Sequence, residues 1–471
     1  MLKLSKAVLV PITALLTACA STHNLKPQAT VTNPDAIEAR QSLTDAAVNE
    51  QAWPQTQWWK RFGDTQLDQL MEEGLSGSPT LRIAEARTRE ALAQAGLADS
   101  TRYPQVNADL DSFRAHFPSQ FVVPPPYAGN SATFNRLEST LSWEVDFWGK
   151  NRNAYQSALG EARATQIDAS AARLALSAAI AHAYVQLQRA YMQLDVAEAT
   201  LKQRQQIFDL TRDRNAAGLD SRLELKQAQS ALPAAREQIT QLQETIKLTR
   251  NQLAALLGKG PDRGLKIARP AATALADVSI PTTVPADLLG HRPDILADRW
   301  RVESARHAIS SAQAEFYPNV NLLAFVGLDV LGPSSFLSLP NREYGGGAAL
   351  SLPIFDGGRR RSNLAGRDAE YDMAVEQYNQ ALADAMRDVV DQLDSFRSLD
   401  EQRTEQRQGL ATAQEAYDLA VLRYREGVGN YLQVLTTETQ LLAQRSLDAD
   451  LRARALDLSI NLARALGGGV V

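Results

Sequence analysis

The sequence predicts an α+β fold that is mainly α-helical and is built from two copies of one structural unit. Three observations support this fold class. The chain repeats itself at a nearly constant offset, and each copy contains two segments in which apolar and polar residues alternate. The other segments show the three-and-four spacing of packed helices. With 471 residues, of which 44% are hydrophobic and 22% charged, the chain can form a large ordered structure.

The first 18 residues are typical of a secretory signal peptide. Lys3 and Lys6 precede an apolar stretch over residues 7–16, which is too short for a stable spanning helix. The stretch leads into Leu-Thr-Ala and Cys19, the one cysteine of the chain, and this pattern resembles a bacterial lipobox. We therefore predict cleavage before Cys19, its lipidation, and a lipid-anchored segment over residues 19–60. The alternative is an ordinary signal peptide with a chance cysteine.

Two structural repeats are predicted, at residues 61–260 and 275–469. A shift of 209 residues aligns the later parts of the copies, and a shift of 214 aligns the earlier parts. The length difference falls in two surface loops, where insertions cost little. Each repeat reads helix, two strands, long helix, helix. Matched residues include Leu141 with Leu350, Gly149 with Gly358, Leu253 with Leu462, Pro79 with Pro293, and Tyr103 with Tyr317.

Period-two alternation predicts four strands per chain, at residues 106–115, 137–147, 320–328 and 348–354. One face of each strand is apolar and the other is polar. Bacterial membrane barrels begin at about eight strands, so several copies of the chain must combine to close one. This arithmetic alone leaves two or three chains open. The acidic residues of the polar faces are Asp109, Asp111, Glu138, Glu144, Asp146 and Asp329.

Long helices follow each pair of strands. The helix predicted from Gly149 to Arg214 has a length of about 100 Å, which favours an elongated tube over an ordinary helical bundle. Gly218 and Gly427 fall where a long helix ends and its returning partner begins. Glycine at such a position suits a left-handed helix cap.

The sequence shows no pattern typical of an enzyme, a metal site or a cofactor site. The net charge of −5 argues against a nucleic-acid-binding protein. A single cysteine excludes an intrachain disulfide, and the five histidines lack metal-ligand spacing. Gly345-Gly346-Gly347 follows a loop and enters a predicted strand, so it does not form a phosphate-binding loop.

Several motifs carry a resemblance to a known family. The chain resembles TolC-like outer-membrane efflux lipoproteins of the resistance-nodulation-division type, also called NodT-type outer membrane factors. The resemblance covers nearly the whole chain after the signal peptide. Its motifs are Trp58-Trp59-Lys60-Arg61-Phe62-Gly63-Asp64, Arg292-Pro293-Asp294, Tyr317-Pro318, the run from Leu350 to Arg359, and Tyr424-Arg425-Glu426-Gly427.

The resemblance implies a homotrimer with a twelve-stranded outer-membrane β-barrel that continues into a twelve-helix periplasmic α-barrel. It implies an exit duct that passes drugs or other small molecules from an inner-membrane pump and a periplasmic adaptor to the outside. Outer-membrane lipid would surround the strands, and the molecule would extend into the periplasm. Two alternatives remain open: a duct for type I protein secretion, and a lipid-anchored periplasmic coiled-coil scaffold.

The resemblance also implies a gate at the periplasmic tip, where the turns at Gly218 and Gly427 would lie. Arg423 and Tyr424 match family positions that tie the closed tip together. The family often has an aspartate at the position of Thr436, where the nearest acid in this chain is Glu438. Asp220 and Glu224, on the first copy's turn, are candidates to replace it. Solvated helix ends are the alternative reading.

Two further expectations concern the strands. The acidic polar faces predict a lumen that prefers cations, because charge rings select ions of opposite sign. Solvated polar filler is the alternative. Trp143 and Trp148 are candidates either for an interfacial aromatic girdle or for packing where strands meet helices.

Overall fold

The computed structural model describes residues 25–33, 37, 54–120, 122–271, 291–332, 336–352 and 354–469. The predicted signal peptide and Cys19 lie outside these ranges. In the first repeat, the elements are α1 (Thr65–Gly77), α2 (Pro79–Ser100), β1 (Gln105–His116), β2 (Ser131–Val145), α3 (Lys150–Ala216) and α4 (Arg222–Leu256). In the second, they are α5 (Pro293–Ala314), β3 (Asn319–Leu331), β4 (Arg342–Ser351), α6 (Arg359–Arg425) and α7 (Tyr431–Ala465).

The mainly α-helical α+β fold with four strands is confirmed. Serine is a favourable helix cap and proline suits the first position of a helix, and Ser78 and Pro79 begin α2 in this way. The Ser78 hydroxyl accepts a hydrogen bond from the Thr80 amide at 3.3 Å. The sequence analysis missed α1. Asp64 caps this helix by accepting hydrogen bonds from the amides of Gln66 and Leu67 at 2.9 and 3.1 Å.

The four strands form one antiparallel sheet in the order β1-β2-β3-β4. The hairpins of the two repeats are joined through β2 and β3. Leu137 lies opposite Leu110 on one side and Leu328 on the other, so the apolar positions share one face. Because side chains alternate along a strand, the polar positions share the opposite face, as predicted.

The strand ends differ from the prediction. β2 begins at Ser131 and ends at Val145, and β4 spans Arg342–Ser351 instead of residues 348–354. The three glycines therefore lie within β4. Glycines have no side chains, so they cannot show the alternation of apolar and polar residues. A Cβ on Gly345 would lie only 2.7 Å from the nearest atoms of the Phe325 ring, so this position has no room for a side chain.

The chain divides into two compact units. One comprises Met1–Val31, Arg87–Gln166 and Ala297–Asn379, and contains the sheet. The other comprises Thr32–Ala86, Ile167–Leu296 and Gln380–Val471. Each unit therefore draws on both predicted repeats. In the second unit, Trp58, Trp59 and Phe62 of the family motif are buried in the large core.

Candidate functional site

The polar face of the sheet brings four of the six predicted lumen acids into neighbouring rows. Asp109 lies opposite Glu138. In the next row, Arg136 lies between Asp111 on β1 and Asp329 on β3. The Arg136 guanidinium donates to both Asp329 oxygens, with its Nε and Nη2 each 3.0 Å from the nearer one. One arginine thus neutralises part of an acidic surface.

Glu343 is an acid that the sequence analysis missed. It lies in β4 opposite Gly327, which in turn lies opposite Glu138. Its position places it on the polar face, in the same row as Asp109 and Glu138. The predicted strand began after Glu343, so its alternation with the rest of β4 was not recognised. The described polar face is therefore more acidic than the sequence alone indicated.

Glu144 and Asp146 have different surroundings from the other predicted acids. The Glu144 carboxylate forms an ion pair with Lys150 at 2.6 Å. Asp146 lies beyond the end of β2 and accepts hydrogen bonds from the amides of Asn151 and Arg152 at 3.3 and 2.7 Å. A carboxylate at a helix N-terminus is favoured by the helix dipole, so Asp146 stabilises the start of α3.

The two predicted girdle tryptophans form hydrogen bonds close to the sheet. Trp143 Nε1 donates to the Arg102 carbonyl at 2.9 Å, and Trp148 Nε1 donates to the Pro318 carbonyl at 2.8 Å. Trp148 also stacks on Tyr317 with ring centroids 4.7 Å apart. These contacts favour the packing interpretation, although Trp148 remains half exposed to solvent.

The two turns between long helices have the same backbone geometry. Gly218 and Gly427 have φ angles of 76° and 78°, in the left-handed region that glycine adopts without a steric penalty. The amides of Leu219 and Val428 donate to the carbonyls of Arg214 and Arg423 at 2.9 and 3.0 Å. We call residues 217–221 the first turn and residues 426–430 the second turn.

A buried hydrogen-bond network joins the first turn to the end of α6. The Tyr424 hydroxyl donates to Asp220 at 2.5 Å and lies 2.8 Å from the Thr211 hydroxyl. The Arg214 Nε donates to the same Asp220 oxygen at 3.0 Å, and its guanidinium carbon lies 4.7 Å from the centre of the Tyr424 ring. Tyr424 is fully buried, so this network holds the two helix pairs together.

The electrostatics of this network follow from burial and from Asp220. Burial, together with the hydrogen bond to Asp220, raises the pKa of Tyr424 to about 12. The hydrogen bond with Asp220 also raises the pKa of Arg214. Tyr424 therefore stays protonated and Arg214 stays charged at any physiological pH.

The other predicted gate residues lie around this network without joining it. Glu224 accepts a hydrogen bond from the Ser221 amide at 2.9 Å in a capping box, and its bond with the Ser221 hydroxyl lowers its pKa. Arg423 is exposed and donates to the Val428 carbonyl at 3.4 Å. Thr436 is exposed, with its hydroxyl bonded to the Leu432 carbonyl at 2.9 Å.

Glu438 is buried instead of facing solvent. Its Oε1 accepts a hydrogen bond from Arg204 Nε at 3.2 Å, and its side chain is 7% exposed. Arg204 also donates to the Ala231 carbonyl at 3.2 Å. Burial raises the pKa of Glu438, and Arg204 offsets the effect only in part. Arg204 was not predicted, because its partner Glu438 lies 234 positions away in the sequence.

Both turns expose apolar side chains at equivalent positions. Leu219 and Val428 are each 67% exposed, and Leu223 and Leu432 are 64% and 62% exposed. The shift of 209 residues relates the members of each pair. The repeat thus exposes apolar side chains at matching positions, one in each turn and one at the start of the helix that follows it.

Other kinds of site find no support within the described ranges. No group of three or more histidine, cysteine, aspartate or glutamate side chains in those ranges is arranged to hold a metal ion. Among the described helices, none combines the length and apolarity needed to cross a membrane.

Comparison with known proteins gives consistent matches along the chain. A family model described as outer membrane efflux protein matches residues 70–259 and 284–468. Fusaric acid resistance protein FusA of Burkholderia cepacia is 41% identical over 369 residues, which cover 78% of this chain and 69% of that protein. Multidrug resistance outer membrane protein MdtP of Escherichia coli K12 is 31% identical over 479 residues, which cover 99% of this chain and 97% of that protein.

A solved structure shares the fold along most of the chain. The crystal structure of the outer membrane protein VceC from Vibrio cholerae superposes with a TM-score of 0.84 at 35% sequence identity. The match covers 89% of this chain and all of that chain.

Proposed function

Because the chain belongs to the outer membrane efflux protein family, we propose that it is one protomer of a passive exit duct of a tripartite efflux system. Three chains form the duct, and a periplasmic adaptor connects it to an inner-membrane pump that supplies the energy. The cargo consists of drugs or other small molecules. Fusaric acid is the first compound to test, because the relative FusA is named for resistance to it.

The observation that carries this proposal is the two-faced sheet. Its edge strands, β1 and β4, have no partner strand on their outer sides among the described residues. Exposed edges with an apolar face favour pairing with further copies of the same chain. If β4 of one protomer pairs with β1 of the next, the apolar faces meet lipid and the acidic faces line a lumen. This arrangement explains the sheet better than a coiled-coil scaffold does.

Closure of the resting duct is proposed to reside at the two turns. Tyr424 ties α6 to the first turn through Asp220, which Arg214 holds in place. Opening requires α6 and α7 to move away from α3 and α4, and this movement breaks the bond between Tyr424 and Asp220. Asp220 is engaged within the protomer, so it does not act as a free member of an acidic ring in this state.

The adaptor is proposed to dock on the two turns. Their apolar pairs, Leu219 with Leu223 and Val428 with Leu432, present the same surface twice in each chain. Three chains would therefore offer six similar surfaces to a ring of adaptor molecules. The double substitution Leu223→Asp/Leu432→Asp should abolish drug resistance in cells and leave the channel currents of the purified protein unchanged. Loss of the currents together with the resistance would indicate misfolding instead.

Lipidation of Cys19 is proposed to anchor the N-terminal segment in the outer membrane. Leu25 packs against a cluster that includes Leu364, and the amides of Gln28 and Ala29 donate to Asp372 at 2.8 Å. Leu364 lies in the second turn of α6. Leu25, Gln28 and Ala29 are thus held against α6, the helix that follows β4 in the chain. Mass spectrometry of the purified chain tests for the acyl groups.

The duct proposal is tested by current recordings in planar lipid bilayers. The purified protein should produce stepwise single-channel currents, and a salt gradient should show cation preference, because the polar face carries more acids than bases. In a strain that lacks its own efflux duct, the gene should restore resistance to fusaric acid when the cognate adaptor and pump are present. Absence of currents and of resistance would refute the proposal.

A further inference from the structure

A buried ion pair lies beside the network at the turns and is not part of it. Arg204 on α3 and Glu438 on α7 are 18% and 7% exposed, and their closest described atoms are 3.2 Å apart. Arg204 also reaches the Ala231 carbonyl on α4. One side chain thus connects three helices, whereas the Tyr424 network connects the first turn to α6.

The pair is poorly suited to stabilising the packed state. Burying two charges removes them from water, and good geometry with many hydrogen bonds is needed to offset that cost. Glu438 accepts one hydrogen bond from the described residues, and Arg204 uses two of its five N–H donors in the described contacts. Consistent with this, burial raises the pKa of Glu438 despite the neighbouring guanidinium.

The repeat does not carry these charges at the equivalent positions of its other copy. The shift of 209 residues places Ala413 at the position equivalent to Arg204, and Gln229 at the position equivalent to Glu438. The repeat therefore builds the corresponding positions of its other copy from uncharged residues. The charged pair is therefore a feature of one copy of the repeat, and Gln229 is exposed where Glu438 is buried.

There is space for water beside Arg204. A cavity of about 330 Å³ adjoins Arg204 between α3, α4 and α7. A water molecule occupies about 30 Å³ in the liquid, so the space is sufficient for several. Polar side chains on its wall provide partners for them: Gln193, Thr200, Gln238 and Ser446.

We infer that the ion pair of Arg204 and Glu438 makes opening of the duct easier. The pair sets the register of α7 on α3, and its desolvation cost is relieved when these helices separate. This inference rests on the proposed gate. It assigns Arg204 and Glu438 positioning roles that oppose the Tyr424 network. The network favours the closed state, and the ion pair lowers the difference in free energy between closed and open states.

The test compares single and double substitutions in planar bilayers at pH 8. Arg204→Met leaves Glu438 buried without its cation, so the open probability should rise by about tenfold or more. Arg204→Met/Glu438→Leu replaces both charges with apolar side chains, so its open probability should fall below that of the unmodified protein. If the pair only ties the helices together, the double variant should instead open more often than the unmodified protein.

Two controls separate this inference from the rest. Arg189 and Asp450 join the same two helices at 2.7 Å but are 42% and 38% exposed, so Arg189→Met/Asp450→Leu should leave the open probability unchanged. Tyr424→Phe reports on the proposed gate itself. Tyr424→Phe can raise the open probability while the double variant at Arg204 and Glu438 fails to lower it below that of the unmodified protein. In that case this inference is wrong, and the proposed gate is still supported. If no variant forms channels, the proposed function fails.

Discussion

Removal of one hydroxyl group, by Tyr424→Phe, should favour the open duct. The Tyr424 hydroxyl donates to Asp220 at 2.5 Å and contacts the Thr211 hydroxyl at 2.8 Å. Phenylalanine keeps the ring, and with it the contact with Arg214 and the edge-on contact with Tyr431. The substitution therefore removes the tie to the first turn and leaves the hydrophobic packing in place.

The size of the effect follows from the type of hydrogen bond. A bond to a charged group contributes about 1.5–3 kcal/mol, and Asp220 keeps its two bonds from Arg214 after the substitution. We therefore expect the lower end of that range, about 1.5 kcal/mol for each protomer, which corresponds to about a tenfold change in the equilibrium. If three protomers open together, the total is about 4.5 kcal/mol.

Single-channel recording of the purified protein measures this change as open probability and conductance. Tyr417→Phe is a matched control, because Tyr417 is buried in the same cluster and its hydroxyl bonds to none of the described residues. It should behave like the unmodified protein. Equal open probabilities for Tyr424→Phe and Tyr417→Phe would show that the Tyr424 network does not hold the gate.

Other predictions concern neighbouring residues. Arg423→Ser should raise the open probability less than Tyr424→Phe in the same recordings, because the Arg423 side chain is exposed and makes one described hydrogen bond, at 3.4 Å. Gly218→Ala should lower the free energy of unfolding in denaturant by about 1–2 kcal/mol, because alanine is strained in the left-handed backbone conformation of Gly218. Gly366→Ala is the control: a Cβ at either glycine would meet no atom within 4 Å, but Gly366 lies in a helix, so this substitution should not destabilise the fold. The packed state raises the pKa of Glu438, so protonation as the pH falls should favour the closed duct. Glu438→Gln should weaken that pH dependence of the open probability, and an unchanged dependence would refute the assignment.

The sequence predicted the elements whose physical signal is periodic. The alternation from Val106 to Leu110 placed β1 on the correct faces, and the long helix predicted from Gly149 to Arg214 agrees with α3 to within a few residues. It failed where side chains carry no period. Gly345-Gly346-Gly347 hid the middle of β4, and α1 is a short helix whose cap, Asp64, was seen only as part of a motif.

The candidate site divides in the same way. The turn glycines and Tyr424 were predicted because the repeat and the family motif mark them. Arg214 and Arg204 were not predicted, because each gains its role from a partner on another helix or across a turn. Which side chains of two distant helices meet depends on the register of those helices. A single sequence does not determine that register to within one residue. The roles of the gate and lumen residues stay predictions.

The central claim is that three copies of this chain close into one lipid-anchored duct. The native mass of the protein extracted from membranes in detergent tests it most directly. Removal of residues 1–18 from the 471-residue chain leaves 453 residues, and the account predicts the mass of three such chains, each with an acylated glycerol group on Cys19. A water-soluble monomer without lipid would contradict it.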